Sequence, residues 1–114
     1  MASIQGNLTE QDTGHTATAV WLDITEADTG TAIDMSNYPD RTVQVVGDFT
    51  TSGAITMQGS NDNSTWSTLH DPQGNTLVLT DSTLKLIAEN TRYIRPTATA
   101  GTAVVMDVYV HGAR

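Results

Sequence analysis

QGSNDNSTW (58–66), DPQGNTL (71–77) and AENTRYIRP (88–96) follow one another along the chain, and their order predicts strand, turn, strand, turn, short helix, strand. Just before them Ala54–Gly59 alternates, with Ile55 and Met57 inward and Thr56 and Gln58 outward. Asn61, Asp62 and Asn63 form a hairpin tip, because Asn and Asp tolerate positive φ and bond their own backbone. In DPQG, Pro72 presets the second turn position and Gly74 supplies a left-handed residue. Repeated antiparallel hairpins follow from this pattern.

Outward from this stretch the pattern continues. ATAVWLDI (17–24) reads as a strand with Val20 and Leu22 on one side and Trp21 and Asp23 on the other. RTVQVVGDFT (41–50) faces Val43 and Val45 one way, and Val46 beside Gly47 predicts a bulge. AVVMDVYVHG (103–112) sets Val104, Met106, Val108 and Val110 against Val105, Asp107, Tyr109 and His111. Pro39 and Pro96 mark edges or bulges, since proline cannot donate to a ladder. Leu84, Ile87 and Ala88 have helical spacing after Asp81, which predicts one short helix near residues 81–89. Trp66 is expected to cap the core.

The fold class is therefore all-β: an antiparallel β-sandwich, jelly-roll or immunoglobulin-like, over residues 17–114. Residues 1–16 are polar and aperiodic, and read as a flexible N-terminal arm with Ile4 and Leu8 as its anchors. The 114 residues suit a single core. Twenty threonines, with only 16% charged residues, suit a β surface of low charge.

Five basic and thirteen acidic residues give a formal charge of −8, which argues against nucleic acid and anionic membrane surfaces as partners. Cysteine is absent, so disulfides and zinc-thiolate sites are excluded. Neither an apolar leader nor a run of about 20 apolar residues is present, which predicts synthesis in the cytoplasm without membrane anchoring.

Chemistry has few candidates. His15, His70 and His111 stand far apart in sequence, and none belongs to a His-x-x-x-His pair. Asp62-Asn63 resembles the start of a calcium loop but lacks its glycine and glutamate. No nucleophile elbow, P-loop or dinucleotide glycine pattern occurs. Catalytic residues, cofactors and metals are thus not expected, and the protein reads as no enzyme.

On 58–66, 71–77 and 88–96 the chain resembles small β-sandwich structural proteins of tailed bacteriophages, including head decoration (cement) proteins. The likeness runs from Ile55 onward, with Asn63 and Thr91 standing near positions where the pattern has glycine and proline. The resemblance implies a virion protein on the capsid exterior that clamps neighbouring major capsid protein subunits. Self-association as a dimer or trimer, and a place in the tail or fibre, are both compatible with it. Ile4, Leu8, Arg92 and Arg95 are the candidate capsid contacts, although for the arginines pairing with the chain's own carboxylates is the safer reading. A carbohydrate-binding module is the alternative of another class, with Trp21, Trp66 or Tyr109 as the stacking platform.

Overall fold

Alternation and β-branched residues produce twelve strands among the described residues, which are 3–25, 28–48, 53–98 and 105–114 of the computed structural model. In chain order they are β1 (Ser3–Ile4), β2 (Gly6–Gln11), β3 (Thr16–Ile24), β4 (Thr29–Gly30), β5 (Ile33–Asp34) and β6 (Asp40–Asp48). Then come β7 (Ile55–Ser60), β8 (Ser67–Thr68), β9 (Val78–Leu79), β10 (Thr83–Ile87), β11 (Tyr93–Ala98) and β12 (Val105–Ala113). One sheet has the order β10-β6-β12-β3-β2. The other runs β1-β4-β11-β7-β8, with β5 also on β11 and β9 also on β7. Every pairing is antiparallel except β1 with β4.

From β3 onward successive strands change sheet, except that β4 and β5 both lie on β11 and that β8 and β9 stay beside β7, and β3 ends up next to β12. This rolled double Greek key is the jelly roll, one of the two arrangements the sequence left open. Between the sheets Trp21, Ile24, Met35, Val43, Val45, Ile55, Met57, Ile94, Met106, Val108 and Val110 are fully buried. The expected inward sets of β6, β7 and β12 are therefore in the core; Val104, assigned to the same face, lies outside the described residues. Both predicted turns form. Asn63 has φ +59°, and Gly74, at φ +88°, donates its amide to the Asp71 carbonyl at 3.0 Å.

Four expectations are corrected. Residues 81–89 hold no helix: Thr83–Ile87 is β10, paired in register with Val45–Arg41. Ile87 alone of that strand is buried, while Leu84 and Leu86 point outward at a sheet edge, so a spacing that mimicked a helix face is a strand closing the open side of β6. Asp81, read as a helix cap, instead accepts the Ser82 amide.

The expected arm over residues 1–16 is, from Ser3 on, part of both sheets. β2 pairs with β3 along its whole length, from Gly6 opposite Trp21 to Gln11 opposite Thr16. By register Gly6, Leu8 and Glu10 share the face of Trp21, Ala19 and Ala17, but only Gly6 is buried and Leu8 is the one apolar residue among them, so no apolar period marks the strand. Gly6 leaves room for the indole, and Glu10 accepts the Tyr38 hydroxyl at 2.5 Å.

The bulge lies on β3 and not at Val46–Gly47, since β6 and β12 pair without a shift. Leu22 and Asp23 together oppose Asp107, with Asp23 at φ +58° and its amide on the Asp107 carboxylate at 2.9 Å. The extra residue returns Ile24 to the core three positions after Trp21.

Pro96 is not at an edge. It sits in β11, between β7 and the pair β4 and β5. Ile94 pairs with Ile33 and Thr97 with Thr29, so the proline faces the break between those two short strands. Its missing N–H falls where no ladder bond is required, and the nearby Thr31 carbonyl accepts the Trp21 indole N–H at 2.9 Å.

Candidate functional site

The outward positions of the five-stranded sheet follow from its register. β10 contributes Leu84 and Leu86, β6 contributes Asp40, Thr42, Gln44 and Val46, and β12 contributes Val105, Asp107, Tyr109 and His111. β3 adds Thr18, Val20 and Leu22. Leu84 is 61% exposed, Leu22 50%, Leu86 49%, Val105 47% and Val46 44%, which places most of the exposed large apolar side chains of the described residues on one face. Across its middle lies an open depression of about 320 Å³, lined by Thr18, Thr42, Gln44, Leu84, Tyr109 and His111. The Thr18 hydroxyl lies 3.2 Å from His111 Nδ1.

The opposite face is tied up by its own side chains. Arg95 lies over the Trp66 ring at 4.1 Å and donates to Gln58 at 2.9 Å. Arg92 lies over the Tyr93 ring at 5.1 Å and reaches Asp34 at 3.2 Å. Burial lowers the Arg95 pKa against its ordinary value. Both arginines thus have internal partners. Ile4 is half-buried against the core, and Leu8 is partly exposed on β2. These four candidate contacts are therefore not gathered into one patch.

Nor are the three candidate stacking residues. Trp21 is wholly buried, Trp66 is half-buried under Arg95 and does not cap the core, and Tyr109 is on the other sheet. Sequence reasoning misses the face around Tyr109 because Leu84 and Leu86 fall within the short helix expected near residues 81–89. The alternation Thr83-Leu84-Lys85-Leu86-Ile87 is the signal that would have found it.

Ionisable groups elsewhere serve the loops. The Asp62 carboxylate accepts the Thr65 amide at 2.8 Å, the Ser60 hydroxyl at 2.8 Å and the Ser64 amide at 2.9 Å, and these bonds hold its pKa far below the ordinary aspartate value. The site is a turn lock, as the hairpin reading of Asp62-Asn63 expected. Glu89 accepts the His70 amide at 2.7 Å and meets His70 Nδ1 at 2.5 Å; burial opposes its ionisation, but the bonds from His70 prevail and lower its pKa. No three His, Cys, Asp or Glu side chains are grouped for a metal ion among the described residues. Arg41, 1% exposed, donates Nε–H to the Tyr38 carbonyl and Nη2–H to that of Met35, pinning the loop before β6.

Because the folded pKa of Asp62 is depressed, its contribution to stability is complete above the unfolded value of about 4 and is lost as pH falls through the folded one. Thermal unfolding followed from pH 7 to pH 2 should show a falling Tm in acid, and Asp62→Asn should flatten that fall while lowering Tm at pH 7. An unchanged acid slope in the variant would remove Asp62 from the account.

No protein-family model matches the chain, and no curated protein does. Among solved structures, the SPBc2 prophage-derived protein YomS is similar over 91% of this chain and 97% of its own, with 9% identity and a TM-score of 0.60. A cupin domain from Bordetella pertussis Tohama I (15% identity, 100% of this chain and 98% of its own, TM-score 0.45) is a weaker match. So is the iron(II) form of HppE (14% identity, 93% and 48%, TM-score 0.43). Neither weaker match carries an argument. The chain is an all-β two-sheet protein that shares its fold, almost end to end, with a prophage-derived protein.

Proposed function

We propose that this chain is a non-enzymatic structural protein of a phage particle, which binds the outside of an icosahedral capsid and stabilises it by bridging neighbouring major capsid subunits. The observation that carries the reading is the fold shared with the prophage-derived YomS over 91% of the chain. An open sheet face with a broad, open depression suits a protein that works by covering a surface. A capsid offers the same site many times over, so modest contacts suffice when one subunit touches several partners. The scattered positions of Trp21, Trp66 and Tyr109 give the carbohydrate-binding alternative no shared platform.

Peptide mass spectrometry on purified particles, counting this chain against the major capsid subunit, tests the proposal. We expect copies in the hundreds. A handful per particle would place the chain in the tail or fibre, and its absence would end the virion reading.

A further inference from the structure

We propose that the outer face of the five-stranded sheet is the docking surface, and that its partner is a protein patch with an apolar centre and a lysine- or arginine-bearing rim. The inference rests on the particle-binding reading above and specifies the face and the chemistry.

The first ground is where the exposed apolar groups lie. Leu84 and Leu86 stand at one side of the face, and Val46, Val105 and Leu22 stand at the Asp107 end. Between them Thr18, Thr42, Gln44 and Tyr109 carry no formal charge. Interfaces combine a charge-poor, partly apolar centre with a polar rim, and anchors enter concave sockets near the middle. The depression beside Tyr109, about 320 Å³, lies at the small end of ligand pockets and suits one inserted side chain.

The second ground is charge. Asp40 and Asp107 lie at opposite ends of the face, and among the described residues no outward position of this sheet holds a lysine or arginine. A basic rim on the partner would meet both carboxylates and be drawn to a chain of charge −8. A second copy would bring another −8 and, on the same face, no cation for Asp40 or Asp107. Lys85 stands exposed on the terminal strand β10, a charge that guards the edge against strand addition and favours contact through the face.

The test uses particles grown without this chain's gene, titrated with the purified full chain and assayed by co-sedimentation, with each variant's fold checked by circular dichroism. Leu84→Glu should weaken binding at least tenfold. Asp40→Lys should weaken it several-fold and flatten its dependence on salt. Val78→Glu, at an exposed position of the other sheet, should bind as wild type does. Wild-type binding by Leu84→Glu, or equal damage from Val78→Glu, would overturn the assignment of the face while leaving the particle role standing. Failure of the wild-type chain to bind would overturn both. Sedimentation of the free chain closes the remaining case: a dimer dissociated by Leu84→Glu would make a second copy the occupant and overturn the proposal.

Discussion

Trp21→Ala should destabilise the fold by about 3–5 kcal/mol, the range for removing a large buried aromatic. The side chain is fully buried, so its truncation leaves a cavity in the centre of the sandwich. It also connects the two sheets: it belongs to β3 of one, while its indole N–H donates to the Thr31 carbonyl beside β4 and β5 of the other. Two glycines make the fit possible. A Cβ on Gly6 would lie 2.4 Å from the indole nitrogen, and one on Gly30 would lie 2.7 Å from Cδ1. Neighbours this close cannot collapse inward to fill the cavity without moving strands, which puts the expected loss toward the upper end of the range. Against a total stability of about 5–15 kcal/mol, such a loss leaves a marginal protein. Trp21→Phe separates the contributions: it keeps most of the apolar volume but strands the Thr31 carbonyl, at a cost of about 1–3 kcal/mol. Urea unfolding of the three proteins checks the order wild type, Phe, Ala; an alanine variant within about 1 kcal/mol of wild type would refute the role given to the ring.

Gly47→Ala is the second large effect, about 3 kcal/mol from backbone strain and overpacking together. Gly47 has φ +152°, where side chains are rarely found, and a Cβ there would lie 2.3 Å from the Val105 carbonyl oxygen and 2.8 Å from Met106 Cα. Both are main-chain atoms of the adjacent strand, so β12 must move away from β6. Gly74→Ala is the matched control. Its φ is +88°, yet nothing lies within 4 Å of the added carbon, which leaves only the conformational cost, about 1 kcal/mol. Comparing their Tm values distinguishes steric conflict from backbone strain, and equal losses would show that the contact with β12 is unimportant. Hydrogen exchange in the Gly47 variant should quicken first at the Val105 end of β12.

Much of this architecture was legible where the physics is local. Ile55 and Met57, the turns at Asn63 and Gly74, and the alternation along β12 each depend on a few neighbouring residues, and each stands as read. The unread parts depend on what lies across the sheet. β2 has no apolar period because its buried Gly6 is shaped to Trp21 and Glu10, on the same face, to Tyr38. β10 carries its leucines on the outside; the alternation from Thr83 to Ile87 marks a strand but not which of its two faces is covered. The pairing of Arg95 with Trp66 links residues almost thirty positions apart, and only the registers of β7, β8 and β11 bring them together. The composition did indicate a low-charge β surface, but which face stays open was decided by strand order.

Pro96 also fixes the alignment of the seven-stranded sheet. β11 meets β7 over six consecutive pairs, a run that by itself would tolerate sliding. A slip of one residue would turn Ile94 and Ala98 out of the core and bring the ring of Pro96, whose Cδ already leaves no space for a side chain at Gly30, against a different neighbour. A slip of two would restore the faces but carry the residue without an amide away from the one break in the ladder. The proline thus acts as a keyed tooth: strand β11 seats in a single notch, and every misaligned pairing forfeits either burial or a hydrogen bond.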